Sequence, residues 1–176
     1  MIDPLVPLII SVSLALLFFM AARHKLSSQR HFQAQLSAYQ LLPESILPVT
    51  ARALPWLEMS LVALLLIPST RVFAAAAAAL MLTVYALAMA VNLRRGRGEI
   101  DCGCGDKPQT LSIWLVARNA VLAAGALLLT VPVVERGLYL ADTIFLILLT
   151  GVLSIAYLAV EQLVRNHSGL TREELQ

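Results

Sequence analysis

The chain has 176 residues, of which 59% are hydrophobic and 14% charged, with a formal net charge of +2. That balance excludes an ordinary soluble domain, and the lack of a dense basic face excludes a nucleic-acid-binding protein. Two cysteines are too few for a disulfide scaffold, so they stand for local chemistry or a single local bridge.

The apolar residues come in blocks of about 20, the length of a helix that crosses a bilayer and too long for a barrel strand. Lipid offers a bare peptide group no hydrogen-bond partner, so such blocks imply helices. The expected fold is all-α, a polytopic transmembrane helical bundle of four to five spans. Residues 1–176 form one membrane domain, with an interfacial helix over the cysteine end.

Met1-Ile2-Asp3-Pro4 lacks a basic n-region, so the first apolar run, about 5–22, is expected to remain as a span. It ends at the polar cluster Arg23-His24-Lys25. In the segment 26–42, Leu26, Phe32, Leu36 and Tyr39 approximate one face of a helix, the pattern of a helix lying along the interface. Pro43 is expected to end it. The second span, about 54–70, has Pro55 as helix starter and Trp56 at interface depth. The third, about 72–92, carries the unbroken run Ala74 to Ala79, whose small side chains suit a packing face.

Residues 92–110 form a polar loop holding both cysteines. Thr110 is a candidate cap for the fourth span, about 111–131, which Pro132 closes. The fifth span is about 139–163, and a polar tail follows from Val164, with one turn capped by Thr171 and Glu174 at the capping-box position.

Five spans put the 26–54 segment, the cysteine loop and the tail on one side of the membrane. Ten of the thirteen Lys and Arg residues fall there: Arg23, Lys25, Arg30, Arg52, Arg94, Arg95, Arg97, Lys107, Arg165 and Arg172. Charge bias alone assigns that side to the cytoplasm.

Glu58, Arg118 with Asn119, and Glu161 interrupt three spans at similar shallow depth beneath the cysteine turn. An isolated charge in lipid is costly, so pairing is expected. Arg118 with Glu58 is the favoured pair and Glu161 the competitor. Such a pair serves either as a helix clamp or as the source of a field that lowers a thiol pKa. Tyr157, one turn from Glu161 on the same face, is a further donor.

Asp101-Cys102-Gly103-Cys104-Gly105-Asp106 is the densest cluster of reactive atoms in the chain. Two thiols about one glycine can close a small, exchangeable disulfide ring. Asp101 and Asp106 oppose thiolate formation, while Lys107, the nearby arginines and the start of the fourth span favour it. Three readings remain open: a redox pair, a thiolate metal site completed by His24, His31 or His167, and structurally inert cysteines.

The segment ending Tyr39-Gln40-Leu41-Leu42-Pro43, the sequence Leu54-Pro55-Trp56-Leu57-Glu58, the Asp101-Cys102-Gly103-Cys104-Gly105 loop and the Arg118-Asn119 pair together carry a resemblance. The chain resembles the MauE methylamine utilisation family and the wider DoxX-like membrane proteins. That resemblance implies a bacterial inner-membrane factor that helps disulfide formation in an exported enzyme, such as methylamine dehydrogenase with its disulfide-rich small subunit. It also implies a thioredoxin-like periplasmic partner, with Cys102 and Cys104 as the exchanging pair. Glu58, Arg118, Asn119, Glu161 and Tyr157 would be supporting residues. The resemblance sets the turn on the periplasmic side, against the charge bias. The layout is also similar to the vitamin K epoxide reductase family, but the covering segment here has no cysteines, so a separate thiol protein must supply the second pair. A quinone could accept electrons from thiols near a bilayer face, although no residue demands one. A non-catalytic membrane chaperone or scaffold for the client is the competing functional class.

Overall fold

A helix pairs its own backbone groups, and the chain meets the demand of lipid in that way. The computed structural model describes residues 2–100, 110–134 and 136–173, which form six helices. These are α1 (Leu5–Ser27), α2 (Gln29–Tyr39), α3 (Leu47–Leu66), α4 (Arg71–Arg94), α5 (Ile113–Leu128) and α6 (Leu140–Glu173). Four of them, α1, α3, α4 and α6 up to Val164, are long and apolar enough to cross a membrane. The apolar α5 has 16 residues. At 1.5 Å per residue it reaches about 24 Å, short of a hydrocarbon core roughly 30 Å thick. The fold is an all-α polytopic membrane bundle, with α2 as a short helix between the first two long ones.

The main packing pairs are α1 with α3 and α4 with α5. The alanine run explains the second. Ala74, Ala75, Ala78 and Ala79 are buried, whereas Ala76 and Ala77 face outward. Side chains this small let backbones approach, and the stripe joins one core cluster with Ala123 and Ala126 of α5, Phe18 of α1 and Leu65 of α3. By contrast, only 6% of the α6 span is buried, and it packs chiefly on α1.

Several boundaries differ from the sequence expectation, each for a local reason. The first span does not stop near residue 22. Pro7, Ser11, Leu14, Phe18 and Ala22 form a buried stripe that continues to Lys25, and α1 runs on to Ser27. Pro48, not Pro55, occupies the first turn of α3, where a missing N–H costs nothing; Pro55 is buried inside the helix. Pro43 does not end α2. Gln40 does so, in a left-handed conformation with φ of 49°, its N–H donating to the Ser37 carbonyl over 3.1 Å. Thr110 is not the cap of α5: the N-cap is Ser112 in extended conformation, with no side-chain cap bond. In place of a one-turn tail, α6 continues to Glu173; Glu174 lies outside the described residues.

At the end opposite the cysteine loop, Ile2 pairs with Val133 in an isolated parallel bridge. Beside it, Arg136 binds Asp3 over 2.9 Å and Asp142 over 2.7 Å, fastening the start of α1 to the α5–α6 connection. Asp3 also accepts the Leu5 N–H over 2.9 Å. The Arg136 guanidinium first, and the Leu5 N–H second, hold the Asp3 carboxyl below the ordinary carboxylate value of 3.8. A depressed folded pKa stabilises the fold above the unfolded value, and that contribution is lost as pH falls through the folded one. Asp3→Asn should therefore melt below the parent at neutral pH. The gap should close as the pH is taken below 3.8 and should shrink in high salt, both readable by thermal scans of the two proteins.

Candidate functional site

The cysteine loop leaves α4 and rejoins the bundle at α5. Gly96, with φ of 72°, adopts the left-handed conformation that closes α4, and its N–H donates to the Leu93 carbonyl over 3.0 Å. Cys102 and Cys104, with Asp101, Asp106, Lys107 and Pro108, lie outside the described residues. Their flanks are clamped: the Leu111 N–H donates to the Ile100 carbonyl over 3.1 Å, so the loop starts and ends at one point. Beneath that point Met89, Leu111 and Leu115 form a small buried cluster with Ile100 and with Tyr39 of α2 against it. Arg97 donates to the Gln40 side-chain oxygen over 2.6 Å, and so ties the loop stem to the end of α2. The short helix and the loop base therefore share one end of the bundle.

Below this end lies a polar knot that the sequence reading missed. Lys25 of α1 and Glu58 of α3 form a buried ion pair, with side chains 5% and 0% exposed. Tyr85 of α4 donates to the same Glu58 oxygen over 2.7 Å, and its hydroxyl lies 3.3 Å from Lys25 Nζ. The ammonium also sits 5.3 Å from the Phe32 ring centroid and 4.9 Å from that of Tyr85. One carboxylate oxygen thus joins α1, α3 and α4. The signal for Lys25 was its place on the buried stripe of α1. It was read instead as part of the polar cluster that ends a span. Tyr85 carried a similar signal, since Leu82, Tyr85 and Met89 repeat at helical spacing.

Arg118 does not pair with Glu58, as favoured from the sequence. It binds Glu161 of α6 over 2.5 Å, with side chains 11% and 12% exposed. Tyr157, one turn before Glu161, places its ring 5.9 Å from the guanidinium. The reason is local supply: Lys25 already neutralises Glu58, leaving Glu161 as the carboxylate for Arg118. Asn119 is buried and donates to the Leu115 carbonyl of its own helix over 2.8 Å. Among the described residues, two ion pairs therefore lie in the half of the bundle nearer the loop, one tying α1 to α3 and the other α5 to α6.

Among the described residues no group of three His, Cys, Asp or Glu side chains could hold a metal ion. His31 shares a 3.0 Å hydrogen bond with Gln35. A thiolate site would need the cysteines, which stand outside those residues.

Removing one partner of a buried ion pair strands the other charge, typically at about 3–5 kcal/mol. Lys25→Leu or Glu58→Leu should lower stability by about that amount, while the double replacement should recover most of it. Glu161→Leu should cost less than Glu58→Leu, since Arg118 retains some exposure and the Tyr157 face. Unfolding midpoints of the four variants in detergent check the order.

The family described as Methylamine utilisation protein MauE matches residues 3–132, which include α1 to α5 and the cysteine loop. The chain is 42% identical over 73 residues to the Methylamine utilization protein MauE of Methylophilus methylotrophus, covering 42% of this chain. That match takes in 38% of the relative's length. No solved structure matches. On the family match over most of its length, and as a multi-pass helical membrane protein, the chain belongs to the MauE family.

Proposed function

We propose that the chain is an inner-membrane thiol–disulfide maturation factor that assists disulfide formation in an exported enzyme, methylamine dehydrogenase being the client its family suggests. The observation that carries this reading is positional. The only two cysteines of the chain sit on a loop whose ends, Ile100 and Leu111, are fastened together on a packed bundle end, and the family match covers that loop.

In this reading a client thiolate attacks one sulfur of the bridged Cys102–Cys104 pair, and the other sulfur leaves as a thiolate. A second client thiolate then resolves the mixed disulfide. The client gains one disulfide, and two electrons remain on the now reduced Cys102 and Cys104. A thioredoxin-like partner, itself in the disulfide state, takes those electrons by the same exchange and restores the bridge. The bond between Ile100 and Leu111 closes the stem of the loop that carries the pair. Glu58, Arg118, Asn119, Glu161 and Tyr157 act as supporting residues that hold the bundle end beneath it.

The reading requires the loop to face the periplasm. In intact reduced cells, Cys102 and Cys104 should react with a membrane-impermeant maleimide. Cys102→Ser and Cys104→Ser should each abolish client maturation, and one of them should trap a mixed disulfide visible on a non-reducing gel. Unchanged maturation with both cysteines replaced would leave a chaperone or scaffold role in its place. Labelling only after permeabilisation would remove direct exchange with an exported client. A supporting role for Arg118 beyond clamping predicts that Arg118→Leu raises the pH at which the thiols become reactive. A fall in folded yield with that pH unchanged would reduce it to a clamp.

A further inference from the structure

A cavity of about 330 Å³ lies under α2, between α3 and α4. Leu36, Leu54, Ala88 and Met89 supply apolar wall, and the exposed side chains of Leu41 and Val84 form its outer lip. The polar groups on the wall are engaged within the protein. Lys25 and Tyr85 meet at Glu58, which stands behind them and is not part of the wall. Gln35 bonds His31, and the Thr50 hydroxyl donates to the Ile46 carbonyl over 3.0 Å. Tyr39 packs against the Met89 cluster. Such a wall selects hydrocarbon, and beside a membrane span the hydrocarbon at hand is a lipid chain.

The rim of the cavity is positively charged. Val84, Ala88, Val91 and Arg95 recur at helical spacing, so one face of α4 runs from the lip to the C-cap. Arg95 stands about 10 Å beyond Ala88 along the axis. The 24 residues of α4 span about 36 Å against a hydrocarbon core of roughly 30 Å, so its ends reach head-group depth. There two guanidinium groups converge on one uncharged residue. Arg95 donates to the Gln40 carbonyl over 3.4 Å, and Arg97 to the Gln40 side-chain oxygen over 2.6 Å. Gln40 immediately precedes Leu41 of the lip. Among the described residues neither arginine has a carboxylate partner, and the buried Nη1 of Arg97 has no acceptor. The exposed Arg94 adds a third positive charge. Like charges held together repel; a phosphate brings both a countercharge and the oxygens that fit a guanidinium fork.

We propose that this site holds one anionic phospholipid, with its phosphate on Arg95 and Arg97 and one acyl chain in the cavity. The unbalanced arginines select the head group. A zwitterionic lipid carries its own cation beside the phosphate and so neutralises none of their excess charge. The site is separate from the cysteine pair and stands whether or not that pair exchanges disulfides.

The full chain in nonionic detergent is titrated with dioleoylphosphatidylglycerol, with dioleoylphosphatidylcholine and with sodium phosphate at constant ionic strength, and the unfolding midpoint is followed. Phosphatidylglycerol should raise the midpoint saturably. Phosphatidylcholine has the same chains and phosphate, and its apparent affinity should be weaker by about tenfold or more. Free phosphate, which has no chain, should give no saturable rise. The double variant Arg95→Gln with Arg97→Gln should weaken the phosphatidylglycerol effect by about tenfold or more. Ala88→Trp, which fills the cavity, should do the same, and Val84→Trp at the lip replaces it if that variant does not fold. A cooperative midpoint without lipid identifies each variant as folded. No rise with phosphatidylglycerol would overturn the proposal and leave the arginines to an acidic protein face. Equal rises with the two lipids, a saturable rise with free phosphate, or an undiminished rise in a folded variant would also overturn it.

Discussion

The oxygen of Glu58 that receives both Lys25 and Tyr85 is the interaction on which the loop end of the bundle depends. Three helices supply one group each, and neither of the two charges could be buried alone. A carboxylate or an ammonium taken from water into a low-dielectric interior loses several kcal/mol of hydration, and only a close partner offsets it. The pair therefore fixes where α1, α3 and α4 stand relative to one another, because a slip of one turn would strand a charge. Apolar packing cannot set register so sharply. The alanine stripe of α4 permits close approach to its neighbours, yet one alanine can stand in for the next four residues along.

The Arg118–Glu161 pair works under a different constraint. Most of the α6 span faces outward, so few side chains specify its position. A 2.5 Å contact with Arg118 and the Tyr157 ring beside it give α6 a polar point of attachment near the loop end. At the other end Arg136 does similar work through Asp142. A helix with little buried surface is thus held at both ends by charge, and by packing along α1 between them.

The fold class was legible because block length and hydropathy dominate in a membrane protein; they are set by bilayer thickness rather than by details of packing. The alanine face was legible for a related reason, since small residues in a span have few other uses. Boundaries were less so. Arg23-His24-Lys25 reads as the end of a span by polarity, but only its third member lies on the buried stripe of α1, and polarity carries no phase. Pro55 was read as a start because proline suits a first turn; Pro48 suits it equally and comes earlier. The intramembrane charges were visible as charges, but their pairing was not. Pairing depends on which helix faces lie together, and the sequence leaves Glu58 within reach of either Lys25 or Arg118. The loop stem, with Ile100 bonded to Leu111 and Gln40 to Arg97, rests on contacts between distant segments that no local pattern announces.

The spacing of the polar contacts along the chain also sets an order for assembly during synthesis. Lys25 and Glu58 are 33 residues apart, Arg118 and Glu161 are 43 apart, and Arg136 and Asp3 are 133 apart. A ribosome adds about 5–20 residues each second, so Lys25 waits only seconds for its counter-ion. The α1–α3 pair can therefore close as a neutral unit before α4 is complete. Arg118 must enter before Glu161 exists, and α5 stays charged until α6 arrives to cover it. Asp3 waits longest. Its latch to Arg136 becomes possible only when most of the bundle has been made, yet Glu161 emerges later still, so the last of these three connections to close is the one that covers Arg118 with α6.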